Sequence, residues 1–296
     1  MKKIVFSALL FSYAAVSAQL SSLKPKIDEL LVNSKAKVSV AILDLKNNDE
    51  LGIKENESLP TLSVFKFHIA LATLKLVDEK KLRLNDKIHI SNDDLKKDTW
   101  SPIREKYPNG NIDLSIKELL KYMVADSDNN ATDIILNKIG GVKYVQNYCD
   151  KNKISPFQIK FDEAGMHISE RHLYENTTST KSLVHTLKRF DAGDLLLKET
   201  TNLLREIMLG TTTGTNKLIE QLPEGTKLAH KTGASGRNAE GITIAENDAG
   251  IAYPDNGNNY AIAVFVIDSK DSSEVNTKLI SNISKIAWDY FNSEKK

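Results

Sequence analysis

The sequence predicts a mixed α/β fold of the α+β type. One antiparallel sheet is flanked by the N- and C-terminal helices, and an all-helical segment is inserted between its early and late strands. Three observations carry this. β-rich runs lie towards both ends of the chain, and helical periodicity fills the middle. Neither a βα alternation nor an internal repeat is visible, which argues against a doubly wound parallel sheet. Amphipathic helical patterns precede the first strands and follow the last.

The chain opens with "MKKIVFSALLFSYAAVSA": Lys2 and Lys3, an apolar run, and the small pair Ser17-Ala18. That is the layout of a secretory signal peptide cut after Ala18, and it assigns residues 1–18 to export. The run is shorter than the roughly 20 apolar residues that a spanning helix needs. No cysteine lies near the cut to carry a lipid anchor. The mature protein is therefore expected to be secreted or periplasmic, without a membrane anchor and monomeric.

"LKPKIDELLVNSK" (23–35) then reads as an amphipathic helix. "KVSVAILDLKNNDELGI" follows as a hairpin turning at Asn47-Asn48-Asp49. From 63 to about 209 the pattern is mostly helical, broken by loops at 100–110 and 155–176. "TKLAHKTG", "AGIAYP" and "NYAIAVFVID" return to strand character, with "PDNGN" as a turn. "SEVNTKLISNISKIAWDYF" closes the chain as an amphipathic helix. The expected division is 19–61 with 210–296 as a discontinuous α/β domain and 62–209 as an all-α domain, and ligand clefts favour such junctions.

With 296 residues, 41% hydrophobic and 27% charged, the chain suits a soluble globular protein. Its net charge is +1, and −1 once Lys2 and Lys3 are removed, which gives no electrostatic footprint for nucleic acid. Cys149 is the lone cysteine, so no internal disulfide can form. The six histidines make no metal-binding cluster, and neither a metal nor a cofactor is expected.

Ser-x-x-Lys occurs four times, but only Ser63/Lys66 opens a stretch that is apolar nearly all round, the mark of a buried helix. Residues three apart on a helix face each other, so Lys66 can reach the Ser63 hydroxyl. The helix start favours negative charge nearby. A buried lysine has its pKa depressed and could help activate the serine. "SDNNA" adds Ser127, Asp128 and Asn129, and "HKTGASG" adds Lys231, Thr232 and Gly233.

In the order SxxK, SDN, KTG, these segments resemble the class A serine β-lactamases over nearly the whole mature chain. The resemblance implies a β-lactamase/transpeptidase-like fold and hydrolysis of β-lactam antibiotics, conferring resistance. It implies Ser63 as the acylated nucleophile and Lys66 in its proton network. The oxyanion hole would be the backbone N–H groups of Ser63 and Ala234. Ser127 would protonate the leaving nitrogen, with Lys231 polarising it. Asn129 would hold the substrate's side-chain amide, and Lys231, Thr232 and Ser235 its carboxylate. For Lys217 two readings stay open, extra charge for that carboxylate or a plain surface lysine.

The family's Glu-x-x-x-Asn signature is missing. Glu163, Glu170 and Glu175 are the candidates, followed four residues later by His167, Tyr174 and Ser179. Glu163 fits best, 36 residues after Ser127 and 68 before Lys231. "EAGMH" also resembles the PER- and VEB-type extended-spectrum branch, with His167 in the asparagine's place. "SVFKFH" and "MLGTTTG" resemble that branch too. Glu163 and His167 would hold the deacylating water. The family's loop-closing Arg–Asp pair falls on Phe161 and Asn176 and cannot form. A differently folded, roomier loop admitting oxyimino cephalosporins is the expectation. A D,D-peptidase or a β-lactam sensor that stays acylated are the rival readings.

Overall fold

Strands from the two ends of the chain meet in one sheet. The computed structural model describes residues 20–293; the signal segment expected at 1–18 lies outside them. After the helix Leu23–Leu31 come β1 (Lys37–Asp44), β2 (Glu50–Ile53) and the short β3 (Leu59–Pro60). A 3-10 turn, Leu62–Phe65, runs directly into the helix Lys66–Asp78. Beyond it lie β4 (Lys87–Ile90), β5 (Ile112–Ser115), and the helices Ile116–Val124, Asn129–Ile139 and Gly141–Lys151. β6 (Phe157–Gln158) and β7 (Thr177–Thr178) bracket a loop that holds the one-turn helix Glu163–Met166. The helices Thr180–Asp191 and Lys198–Leu209 lead to β8 (Lys227–Ala234), β9 (Thr243–Tyr253) and β10 (Tyr260–Ser269). The helix Ser273–Asn292 ends the described chain.

The main sheet runs β2-β1-β10-β9-β8, antiparallel throughout. Both faces are covered, which is why β10 reads as a nearly unbroken apolar run rather than an alternation. Val38, Val40 and Ile42 pack with Ile27, Ile280, Ile283 and Trp288 of the terminal helices. Ala41 and Leu43 face the other way, into a core continued by Phe67, Ile69, Leu71 and Leu74 of the helix after Ser63.

Two expectations need correction. The segment 62–209 is not all helical, because it holds the pair β4–β5 and the strands β6 and β7, which join β3. These strands are only two to four residues long, too short for their period-two pattern to stand out against neighbouring helices. The strand expected from "AGIAYP" starts earlier, at Thr243. Its first half carries Glu246, Asn247 and Asp248, which are buried and bonded.

His68 lies fully buried on the helix that follows Ser63, stacked on Phe157 with ring centroids 4.1 Å apart. Neither ring nitrogen has a hydrogen-bond partner among the described residues. Burial pushes its imidazole down to about 3, from an unfolded value near 6.5. A depressed folded pKa stabilises fully above the unfolded value, and the gain is lost as pH falls from about 6.5 towards 3. His68→Leu should flatten that acid limb. It should also raise stability at pH 7 by about 1 kcal/mol, because each unpartnered buried polar atom costs about 1–3 kcal/mol while a ring pair contributes about 0.5–1.5 kcal/mol. Thermal unfolding at pH 7 and pH 4 measures both; an unchanged acid slope refutes the assignment.

Candidate active site

Ser63 sits in the 3-10 turn at the start of the helix Lys66–Asp78, half-buried, where the backbone favours negative charge. Strand β8 presses against this turn. A Cβ on Gly233 would come within 2.5 Å of the Thr61 carbonyl oxygen and 3.2 Å of the Ser63 nitrogen, so only glycine lets the two backbones approach this closely. Asn247 on β9 secures the same corner, donating to the carbonyls of Pro60 (2.9 Å) and Thr61 (3.2 Å). The exposed Ala234 follows Gly233 along the strand and lines the same cavity as Ser63.

Lys66 is fully buried. Its ammonium donates to the Ser127 carbonyl (2.7 Å) and to Asn129 Oδ1 (2.6 Å), and it pairs with Glu163 Oε1 at 2.9 Å. The amine is thereby held between the turn at Ser127, Asn129 and Glu163. A bond to the Ser63 hydroxyl, anticipated from the one-turn spacing, is not among its contacts. A carboxylate and two carbonyl oxygens are stronger acceptors for an ammonium than a hydroxyl is.

Ser127 precedes the helix Asn129–Ile139 with φ of 57°, a left-handed backbone that is costly outside glycine. Asp128 caps that helix through the Ala131 N–H and also accepts from Ile103 N and Ser101, which fixes the turn. Ser127 Oγ receives Lys231 Nζ at 2.9 Å and, more weakly, Lys66 Nζ at 3.4 Å. With its lone pairs so engaged, the hydroxyl proton is free to point into the cleft. Burial, then the charges of Lys66 and Lys217, push the Lys231 ammonium well below the usual lysine range.

Glu163 is buried and faces the same cavity as Ser63. Its backbone N–H and that of Ala164 donate to the two oxygens of Asp133, at 2.8 and 3.0 Å. Burial foremost pushes the Asp133 carboxyl up to about 7. His167 turns back so that Nδ1 lies 2.7 Å from the Glu163 carbonyl oxygen. A carbonyl cannot donate, so Nδ1 carries a proton, and the ring stands on the cavity wall.

Asn176 closes the loop with its neutral amide, next to the Lys160–Glu175 ion pair. Its Oδ1 accepts the N–H groups of Lys160 (2.8 Å) and Phe161 (3.0 Å), and its Nδ2 donates to the Phe161 carbonyl (2.8 Å). Phe161 stacks on His172 at 4.0 Å. An aspartate at 176 would aim a second oxygen at the Phe161 carbonyl. Asn176→Asp should therefore lose about 2 kcal/mol of stability, the cost of replacing one buried bond by a repulsion. Denaturant melts of this variant decide the point; native stability in Asn176→Asp would contradict it.

The remaining anticipated residues divide. Thr232 shares a hydroxyl–hydroxyl bond of 2.7 Å with Thr213. Ser235 donates its hydroxyl proton to the Gly236 carbonyl (2.7 Å), turned towards its own loop. Asn129 donates to Thr99 Oγ1 (2.7 Å) while Lys66 holds its oxygen, so both its ends are engaged. Two adjoining cavities share Ser63, Asn129 and Ala234. One, of about 320 Å³, runs along Glu163, Met166, His167 and Leu173; the other, of about 300 Å³, along Trp100, Ser127, Thr213, Lys217, Thr232 and Glu246. Trp100, Thr213 and Glu246 were not anticipated. A lone tryptophan in a polar loop and a Glu-Asn-Asp run inside an apolar strand were the available signals. Among the described residues no group of three or more His, Cys, Asp or Glu is arranged to hold a metal ion.

Comparison with known proteins bears on this arrangement. A model of the β-lactamase enzyme family matches residues 22–291. The chain is 40% identical to β-lactamase VEB-1 of Pseudomonas aeruginosa, covering 97% of this chain and 96% of that protein. It is 36% identical to the extended-spectrum β-lactamase PER-1 of the same organism, covering 95% and 91%. The crystal structure of the TLA-3 extended-spectrum β-lactamase superposes with a TM-score of 0.90 at 42% identity, over 92% of this chain and 99% of that one. An ancestral class A β-lactamase, 23% identical with a TM-score of 0.82, shares the fold.

Proposed function

The chain belongs to the β-lactamase enzyme family as a class A β-lactamase, and from that premise we propose that it opens β-lactam rings through an acyl intermediate on Ser63. The observation that supports this most is the placement of Ser63 where the two cavities join, with the Lys66–Glu163 pair on one side and the Ser127–Lys231 pair on the other.

The β-lactam carbonyl would lie on Ser63 with its oxygen towards the Ser63 and Ala234 N–H groups. The Ser63 proton leaves towards the Lys66–Glu163 pair as the Oγ–C bond forms. Lys66 is the acceptor, its own proton passing to Glu163 beside it. The C–N bond then breaks, and its nitrogen takes the Ser127 proton, which Lys231 makes easier to give; Ser127 regains a proton from Lys66 and Lys66 one from Glu163, which leaves Glu163 a carboxylate again. A water held between Glu163 and His167 Nε2 attacks the ester, Glu163 accepting its proton. The carboxylate product leaves, and Ser63 recovers its hydrogen.

The cavity along the 159–176 loop would take the acylamino side chain, and the cavity by Thr232 the carboxylate. We extend the reading to oxyimino cephalosporins, with cefotaxime or ceftazidime turned over well above carbapenems, and to an exported protein acting as a monomer. Support comes from relatives named as extended-spectrum enzymes. Among the described residues no helix is long and apolar enough to cross a membrane. The test is rapid mixing with nitrocefin. Turnover in well under a second, with any transient mass adduct on the Ser63 peptide, supports the reading. A stable adduct would instead indicate a sensor, and slow release with peptide activity a D,D-peptidase.

A further inference from the structure

Lys217 and Glu246 form a buried ion pair at the far end of the second cavity, with Nζ 2.6 Å from Oε1 and side chains 5% and 7% exposed. Lys217 also donates to the carbonyls of Gly233 (3.3 Å) and Asn247 (3.1 Å). An ammonium has three N–H donors, and here three protein oxygens occupy them. The other oxygen of Glu246 accepts the Ser273 hydroxyl at 3.2 Å, which anchors the carboxylate to the last helix. Gly214 permits this arrangement: it has φ of 71°, and a Cβ there would meet Thr232 Cγ2 at 2.4 Å and Lys217 Cδ at 3.3 Å.

We propose that Glu246 is a specificity-determining residue: by occupying Lys217, it withdraws a cation from the end of the cleft that receives the substrate's carboxylate. That group is then left to Lys231 and to the hydroxyls of Thr213 and Thr232. The proposal rests on the reading of this cavity as the carboxylate subsite. Lys217 acts at a distance, through its field on Lys231 and its hold on the Gly233 carbonyl beside the oxyanion donor. The built-in carboxylate satisfies a charge that would otherwise bind the substrate's own carboxylate. The enzyme should therefore distinguish only modestly between an anionic β-lactam and an uncharged one.

The test compares hydrolysis of a cephalosporin and of its C4 methyl ester, read as the ratio of their kcat/KM values. In Glu246→Gln the charge on Lys217 is no longer offset. The acid's KM should fall at least fivefold while the ester's stays, so the ratio rises by the same factor. An unchanged or lower ratio overturns the proposal. Should that variant fail to fold, the double variant Lys217→Met/Glu246→Leu replaces the pair with apolar side chains, a change that buried pairs often tolerate. A ratio within twofold of native supports the proposal there. A larger fall would mean that Lys217 itself grips the carboxylate, and would overturn it. If the native enzyme opens neither compound, the β-lactamase reading fails first and independently.

Discussion

Glu163→Gln should convert the enzyme into one that reacts once with benzylpenicillin and then stops. The amide keeps the shape of the carboxylate but cannot take a proton from water. General-base assistance is worth roughly 10²–10⁴-fold, so steady-state turnover should fall by about 10³. Ser63, the N–H groups around it and the Ser127–Lys231 pair are untouched, so one equivalent of product-coloured burst should survive with nitrocefin. Intact mass should show the adduct persisting for minutes. Asp133 grips the Glu163 backbone rather than its side chain, so the one-turn helix should stay in place. Near-native turnover in Glu163→Gln would mean that another group activates the water, with Glu170 on the same cavity wall the next to examine.

The sequence made the candidate site legible because its residues lie in short, contiguous signals. Ser63 and Lys66 stand out as polar intrusions in an apolar helix, and Ser127 and Lys231 as parts of tripeptides whose order is informative. The outer helices and the sheet were readable from amphipathic period and β-rich runs. What escaped was set by contacts between distant segments. Nothing local says that Asn176 will serve as a neutral staple, because its partners Lys160 and Phe161 are brought to it by the loop's path. Glu246 drew no notice, because the group that lets a carboxylate sit inside a strand is Lys217, 29 positions away, at 2.6 Å. Ser235 fits the substrate-binding pattern by position, yet its hydroxyl turns to Gly236. Hydroxyl direction is a tertiary property, not a sequence one.

Lys66→Met should fail one step earlier than the glutamine variant, at acylation. The methionine stem fills the buried space but leaves Ser63 without a proton route to Glu163, and kcat/KM should fall by about 10³ with the burst abolished. A second effect must be separated from this one. Removing one partner of a buried pair leaves the other charge uncompensated, at a cost of about 3–5 kcal/mol. Lys66→Met alone should therefore also unfold at lower denaturant. The double variant Lys66→Met/Glu163→Gln has no stranded charge and should recover most of that stability, yet still show no burst. Stability and acylation then respond to different changes: the first to the match between the two charges, the second to Lys66 itself. If the double variant regained the burst, Lys66 would be acting only as the counter-ion of Glu163, and the proton would reach its acceptor by a path that does not include the lysine.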